Sequence, residues 1–113
     1  AFYEMFGIDG IKAFDKTIKY AKEKGMMVIV DAKRGDIGST AEGYSNAFIG
    51  RTPIENEKFS IYDADFITVN PYLGIDGVKP FIDDLKYKEL ITGIIKEDSE
   101  IKNIHETFFG LTY

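Results

Sequence analysis

The sequence contains no cysteine, and this absence removes several kinds of chemistry at once. Without a thiol, the chain forms no disulfide, builds no zinc–thiolate site and uses no cysteine nucleophile. A chain that relies on no disulfide is compatible with a reducing compartment, and we expect a cytoplasmic location.

The chain also lacks an excess of positive charge and any long apolar run. Its 14 basic and 19 acidic residues give a formal net charge of −5, and no basic stripe is visible. We therefore expect no sequence-general binding of nucleic acid. No apolar run approaches the roughly 20 residues that cross a bilayer, and no signal-peptide pattern is present, so we expect no membrane partner.

What the sequence does contain is a dense cluster of charges directly after an apolar run. Residues 26–30 (Met-Met-Val-Ile-Val) have the composition of a buried strand, and Asp31, Lys33, Arg34 and Asp36 follow. Because side chains at i and i+2 share a strand face, we expect Asp31 and Lys33 side by side. Buried charge is costly unless it is paired or used, which favours a functional site. The alternative is a solvated loop of alternating charges.

A helix is predicted to begin directly after the charged loop. Ser39 and Glu42 have the spacing of a capping box, in which each side chain bonds the backbone N–H of the other. Strand, short charged loop and capped helix make a βα unit. In βα barrels, the loop after each strand carries the chemistry.

An eight-residue repeat supports a fold of repeated modules. Residues 7–14 (Gly-Ile-Asp-Gly-Ile-Lys-Ala-Phe) recur as residues 74–81 (Gly-Ile-Asp-Gly-Val-Lys-Pro-Phe). Both copies are interpreted as strand-to-helix turns with Asp9 and Asp76 as N-caps. Pro80 is then expected in the first helical turn, where no intrahelical bond is lost.

The pattern between and after the two copies alternates helix and strand. Continuous apolar strands alternating with amphipathic helices favour a parallel sheet covered by helices. We predict helices over 10–24 and 40–49 and from Gly77, strands over 26–30 and 66–70, and a loop with at most a short helical turn over 50–60.

After about Asp84 the regular pattern stops, and we place a boundary there. Residues 85–113 are mostly charged and are interpreted either as a divergent helix and tail or as an out-of-frame or truncated end. The only histidine, His105, lies in this segment without a visible partner, and we expect it to have no function.

Three stretches carry a resemblance to a known family. Residues 28–41 (Val-Ile-Val-Asp-Ala-Lys-Arg-Gly-Asp-Ile-Gly-Ser-Thr-Ala) resemble the signature of orotidine 5′-phosphate decarboxylases. Residues 1–4 (Ala-Phe-Tyr-Glu) and 65–74 (Asp-Phe-Ile-Thr-Val-Asn-Pro-Tyr-Leu-Gly) resemble the longer bacterial branch of that family. The resemblance implies that residues 1–84 form part of a (β/α)₈ TIM barrel, an α/β fold in which parallel strands alternate with helices.

The same resemblance implies a role for each matching residue. Lys33 would be the cation and proton donor in a cofactor-free decarboxylation of orotidine monophosphate, with Asp31 beside the substrate carboxylate. Asp36 would reach into the neighbouring subunit of a homodimer. Ile37 and Thr40 would contact substrate across that interface, and Asn70 would face the pyrimidine.

The length implies that the chain is an inactive fragment of such an enzyme. Its 113 residues fall well short of the roughly 250 of a complete barrel. The first lysine of the family's charged array would precede Ala1, and no phosphate-binding loop is identifiable. Two alternatives stay open. One is a non-catalytic partial-barrel interaction module. The other is a related sugar-phosphate decarboxylase, whose metal-binding carboxylate has no counterpart at residues 28–30, so we predict no metal site.

Overall fold

The structure is a computed structural model that describes residues 1–85. The predictions for residues 86–113, including the one for His105, lie outside the described residues. The described part has an α/β architecture. Its elements are a 3₁₀ turn (Glu4–Phe6), α1 (Gly7–Glu23), β1 (Ile29–Arg34), α2 (Gly38–Phe48), β2 (Thr52–Ile54), β3 (Glu57–Phe59), β4 (Phe66–Val69) and α3 (Ile75–Asp84).

The strands β1 and β4 form a two-stranded parallel sheet, as the sequence pattern predicts. Ile29 pairs with Phe66 and Val30 with Ile67, and the chain between the two strands passes through α2 and a hairpin. Parallel neighbours need a crossover of this kind, because a tight turn can join only antiparallel strands. The two predicted strands are therefore neighbours in one parallel sheet, which agrees with the barrel interpretation.

The first strand begins later than predicted and contains most of the charged residues. Residues 26–28 precede β1, whereas Asp31, Lys33 and Arg34 belong to it. The physical reason lies on the neighbouring segment, where the Asp65 carboxylate accepts a 2.8 Å hydrogen bond from the Val28 N–H. The Val28 carbonyl accepts the backbone N–H groups of Asp65 and Phe66 at 3.0 and 3.1 Å, but its own N–H is bonded to this side chain, so the paired residues begin with Ile29.

The predicted helix caps are wrong in all three cases. Neither Ser39, Asp9 nor Asp76 is an N-cap, and none of the helices α1, α2 and α3 has a side-chain cap. In the two repeat copies, Gly7 and Gly74 adopt φ values of +60° and +77° and turn the chain into the helix two or three residues earlier than predicted.

Two further corrections concern Pro80 and residues 50–60. Pro80 lies in the second turn of α3, so the helix loses the bond that a residue at this position would make to the Asp76 carbonyl. Residues 50–60, predicted as loop, contain an antiparallel hairpin in which Thr52 pairs with Phe59 and Ile54 with Glu57. Its strands have only three residues each, too few for a clear alternation of polar and apolar side chains.

The core lies on one face of the β1–β4 sheet and is built from all three helices. Its buried members are Ile18, Val30, Ala41, Ile49, Ala64, Phe81 and Leu85. Beside them, the rings of Phe14, Phe48 and Tyr62 pack with centroids 5.0–6.3 Å apart. The opposite face of β1 is open, with Ile29 66% exposed. The sheet therefore has one face covered by helices and one open face.

A buried hydroxyl joins α2 to α3. Ser45 is fully buried and lies 2.6 Å from the Asp84 carboxylate and 3.2 Å from the Pro80 carbonyl. Gly50 makes room for that carboxylate, because a Cβ at residue 50 would lie 2.3 Å from Asp84 Oδ2. A hydrogen bond from a buried hydroxyl to a half-buried, charged acceptor contributes more than an exposed one.

We predict that Ser45→Ala lowers the free energy of unfolding by about 1–3 kcal/mol, because it removes the hydroxyl that donates to the Asp84 carboxylate. Urea unfolding followed by circular dichroism measures this. Ser39→Ala is the matched control, since Ser39 is exposed in the same helix and the change should stay within about 0.5 kcal/mol. Equal effects of the two substitutions would contradict the assignment.

A second polar connection joins α1 to the segment before β4. Lys22 Nζ donates to the Asp63 carbonyl at 2.6 Å and to the carboxylates of Asp63 and Asp65 at 3.0 and 3.2 Å. Burial by itself lowers the pKa of Lys22, but the hydrogen bonds to the two aspartates outweigh it, and the pKa is raised. Since Asp65 also holds Val28, this cluster connects α1 to the start of the sheet.

We predict that the contribution of Lys22 to stability decreases at alkaline pH. A raised pKa in the folded state means that the ammonium stabilises the fold fully below its ordinary pKa of 10.5, and that this contribution is lost as pH rises through the higher folded value. The stability difference between wild type and Lys22→Met, about 1–2 kcal/mol at pH 7, should therefore shrink above pH 10.5. The exposed Lys19→Met should show a smaller difference; a loss equal to that of Lys22→Met would refute the assignment.

Candidate active site

The open face of β1 carries the first two predicted site residues. Burial alternates along the strand: Val30 is buried and Ala32 and Arg34 half-buried, whereas Asp31 and Lys33 are exposed. The two charged side chains thus share a face, and Lys33 Nζ lies 2.5 Å from Asp31 Oδ2. The geometry agrees with the expectation from their i, i+2 spacing.

Asp31 has a second partner that the sequence analysis did not single out. Thr68, on β4, donates its hydroxyl to Asp31 Oδ1 at 2.7 Å. The hydrogen bonds from Lys33 and Thr68 lower the pKa of the Asp31 carboxyl. The carboxylate is therefore ionised at neutral pH and stays so until the pH falls below its ordinary value.

An irregularity in β1 shapes this part of the site. Val30 pairs with Ile67 and Arg34 with Val69, so the register shifts between the two pairs. Within the shifted stretch Lys33 adopts a φ of +51°, a left-handed conformation that is uncommon for residues other than glycine. Its backbone N–H donates to Thr68 Oγ1 at 3.0 Å. Bulges of this kind redirect side chains and are frequent beside active sites.

Asp36, Ile37 and Thr40 lie beyond the strand, and the structure does not join them to the Asp31–Lys33 pair. Asp36 is half-buried in the loop before α2 and accepts a 2.7 Å hydrogen bond from the Ile37 N–H. Ile37 is 63% exposed, and Thr40 is exposed in the first turn of α2. Within residues 1–85, no hydrogen bond or ion pair connects these three side chains to Asp31 or Lys33.

Asn70 follows β4 directly and meets the end of β1. Its backbone N–H donates to the Arg34 carbonyl at 2.7 Å, which extends the sheet by one bond. Its side-chain oxygen accepts a 3.0 Å hydrogen bond from the Tyr72 N–H. The side chain is exposed, and the local bond orients it with the amide NH₂ group available for a ligand.

Glycines allow the two loops at this end of the sheet to pack backbone against backbone. A Cβ at Gly35 would lie 2.6 Å from the Asn70 carbonyl oxygen, and one at Gly77 would lie 3.0 Å from the Asp36 carbonyl oxygen. Gly10, the counterpart of Gly77 in the other repeat copy, has the same function, because a Cβ there would lie 1.8 Å from the Tyr3 carbonyl oxygen. The repeat thus encodes a positive-φ glycine and a close-approach glycine at each helix start.

Arg34 belongs to the charged segment by sequence but not to the site. Its side chain points to the core side, forms an ion pair with Glu4 and lies 5.4 Å from the centre of the Tyr44 ring. Alternation along β1 is the signal that could have predicted this, since Arg34 is two residues from Ala32 and four from Val30. The charged cluster is therefore divided between two faces of the sheet.

Residues 1–85 contain neither a metal site nor a membrane-spanning helix. No group of three or more His, Cys, Asp or Glu side chains there could hold a metal ion. None of the described helices is both long enough and apolar enough to span a membrane.

Comparison with known proteins identifies the class of fold and then the family. A crystal structure of an orotidine 5′-phosphate decarboxylase homologue from Streptomyces avermitilis superimposes with a TM-score of 0.66 and 37% identity, covering 77% of this chain and 28% of the other. The orotidine monophosphate decarboxylase of Leishmania donovani gives a TM-score of 0.56 and 37% identity over 73% of this chain and 28% of the other. These neighbours are TIM barrels, which confirms the predicted fold class as part of such a barrel.

Sequence comparison agrees with the structural neighbours. The orotidine 5′-phosphate decarboxylase of Caldicellulosiruptor saccharolyticus is 44% identical over 97 residues, which cover 85% of this chain and 32% of the relative. The enzyme of the same name from Clostridium kluyveri is 43% identical over 86 residues, covering 76% and 26%. The chain thus spans about a third or less of the length of these relatives.

The sequence profile of the orotidine 5′-phosphate decarboxylase / HUMPS family matches residues 1–103. The chain belongs to this family. The match continues beyond Asp84, into the segment that the sequence pattern separated as divergent.

We predict that Gly35→Ala lowers the free energy of unfolding by about 1–3 kcal/mol, because the methyl group forces the Asn70 backbone away from β1. Hydrogen exchange at the Asn70 N–H, which bonds the Arg34 carbonyl, should become faster as well.

The matched control for Gly35→Ala is Gly43→Ala on the exposed side of α2, where a Cβ would meet no atom within 4 Å. It should raise stability by roughly 0.5–1 kcal/mol through helix propensity. A neutral or stabilising Gly35→Ala would show that the loops do not pack as described.

Proposed function

We propose that this chain supplies the Asp31–Lys33 pair of an orotidine 5′-phosphate decarboxylase, which converts orotidine monophosphate to uridine monophosphate in de novo pyrimidine biosynthesis. The observation that carries the proposal is the ion pair of Lys33 with Asp31 at 2.5 Å on the open face of a parallel βα sheet. Family membership and the names of the relatives support the same reaction.

The chemistry needs a fixed cation, and Lys33 provides one. When the bond from C6 to the carboxylate breaks, its electron pair stays on C6 as a vinyl carbanion, and CO₂ leaves. The Lys33 ammonium stabilises the developing negative charge and then gives one proton to C6, forming uridine monophosphate. Solvent returns a proton to the neutral amine. No cofactor is needed, because the cation and the acid are the same group.

Asp31 has two effects on this step. Its carboxylate lies 2.5 Å from Lys33 Nζ, and this ion pair holds the ammonium beside the position of the reacting carbon. It also lies where a substrate carboxylate approaching Lys33 would be repelled, which raises the free energy of the bound ground state relative to the transition state. Its lowered pKa keeps it charged throughout the neutral range.

The remaining residues are assigned to substrate binding in a homodimer. Asp36, Ile37 and Thr40 are proposed to contact substrate bound by the neighbouring subunit. The exposure of Ile37 and Thr40 supports this, and none of the three side chains belongs to the core of residues 1–85. Asn70 is proposed to donate its amide NH₂ group to a pyrimidine carbonyl oxygen.

We propose that the phosphate is bound by residues other than 1–85. Within that range, Arg34 is held on the core side of β1 by Glu4 and Tyr44. Since remote phosphate binding supplies energy that is used at the reacting carbon, we propose that the 113-residue chain alone has no measurable activity. We also propose that the enzyme is cytoplasmic.

The related sugar-phosphate decarboxylases are the competing assignment, because the name of the matched family covers more than the orotidine 5′-phosphate decarboxylases. Their metal site would need a carboxylate just before Asp31, where Val28, Ile29 and Val30 stand. The relatives named above are orotidine 5′-phosphate decarboxylases, which favours the proposed reaction.

A chimera tests the proposal. Residues 1–85 of this chain would replace the matching segment of the Caldicellulosiruptor saccharolyticus enzyme, to which the chain is 44% identical. We expect the chimera to decarboxylate orotidine monophosphate in a UV assay. Lys33→Ala should reduce kcat by more than the ~10²–10⁴-fold typical of a lost general acid, because it removes the cation as well.

Lys19→Ala, on the exposed side of α1, is the matched control and should retain kcat within about twofold. A Lys33→Ala chimera within tenfold of the parent would rule out the role of Lys33. A correctly folded but inactive parent chimera would count against the proposed reaction.

A further inference from the structure

We propose that Thr68 is a positioning residue, whose single hydroxyl sets the orientation of the Asp31–Lys33 pair. The inference rests on the proposed function in one respect, namely that the oriented pair acts on a substrate. The contacts that carry it do not depend on that function.

The Thr68 hydroxyl uses both of its hydrogen-bonding capacities within the site. It donates its hydrogen to Asp31 Oδ1 at 2.7 Å and accepts the backbone N–H of Lys33 at 3.0 Å. One small group thus contacts the side chain of one member of the pair and the main chain of the other. Serine can make both bonds, whereas valine, of nearly the same shape, can make neither.

Lys33 needs this partner because its backbone has left the regular ladder. Val30 pairs with Ile67 and Arg34 with Val69, so three residues of β1 lie opposite Thr68 alone. Lys33 adopts its left-handed conformation in this stretch, with a φ of +51°. A left-handed residue other than glycine persists only when its surroundings hold it. The hydroxyl of Thr68 replaces the carbonyl acceptor that a regular register would provide.

Asp31 needs the same partner because the ion pair is exposed. The side chains of Asp31 and Lys33 are 61% and 72% accessible, and exposed pairs of this kind are only weakly held. The two carboxylate oxygens have separate partners, Lys33 Nζ on Oδ2 and Thr68 on Oδ1. Two bonds at different oxygens restrict rotation of the carboxylate, which one ion pair cannot do.

The test is NMR titration and hydrogen exchange of the labelled 113-residue chain. Three variants are compared with wild type: Thr68→Val, Thr68→Ser, and Thr52→Val as the control for a half-buried strand threonine elsewhere. The ¹³C shift of the Asp31 carboxyl reports its pKa, and exchange of the Lys33 N–H reports the backbone bond. Neither readout uses substrate, so an inactive chimera would contradict the proposed function and leave this result untouched.

We expect Thr68→Val to raise the pKa of Asp31 towards that of an ordinary aspartate and to accelerate exchange of the Lys33 N–H about five- to tenfold. Thr68→Ser and Thr52→Val should match wild type in both readouts. The proposal is overturned if Thr68→Val titrates and exchanges like wild type, or if Thr68→Ser behaves like Thr68→Val.

A general loss of structure is distinguished by the Asn70 N–H, whose bond to the Arg34 carbonyl reports β1–β4 pairing independently. If Thr68→Val loses this protection, Thr68→Ala and Thr68→Ser repeat the comparison with less bulk. If Thr68→Ser keeps the wild-type pKa of Asp31 and exchange of the Lys33 N–H while Thr68→Ala does not, the hydroxyl is the positioning group. If the two variants behave alike, the proposal is overturned.

Discussion

The organisation of the site depends on an unequal pairing of two strands. Between the Val30–Ile67 pair and the Arg34–Val69 pair, β1 has three residues where β4 has only Thr68. The additional length cannot be absorbed by a flat ladder, so β1 bends, and Lys33 takes a left-handed conformation. Both ends of this stretch are anchored by backbone pairing. Asp31 and Lys33 are therefore held on a strand and not on a free loop.

The part of this arrangement that follows local rules could be predicted from the sequence. Apolar residues before Asp31, the i, i+2 spacing of Asp31 and Lys33, and strands alternating with helices are periodic signals within one segment, and the parallel pairing agrees with them. Thr68 could not be identified in this way. Its contacts depend on a register shift between segments 35 or more residues apart, and a lone threonine in a strand carries no local signal.

The incorrect starts predicted for α1 and α3 have a common physical cause. Aspartate near a predicted helix start suggests a side-chain cap, but the first glycine of each repeat copy turns the chain earlier, and the acidic side chains fall in the first turn. There they still interact favourably with the helix dipole. Arg34 shows why the number of charges in a segment does not define a site. The segment suggested one cluster, but alternation along β1 places Asp31 and Lys33 towards solvent and Arg34 towards the core.

The close-approach glycines restrict how this sequence can change over time. Every missense substitution of a glycine codon adds a Cβ atom, whatever the new residue is. At Gly10 that atom would lie 1.8 Å from the Tyr3 carbonyl oxygen, and at Gly35 it would lie 2.6 Å from that of Asn70. Because the obstructing atoms belong to the main chain, no change of a neighbouring side chain can make room for it. Genetic drift at these codons is therefore confined to synonymous changes unless the backbone itself moves.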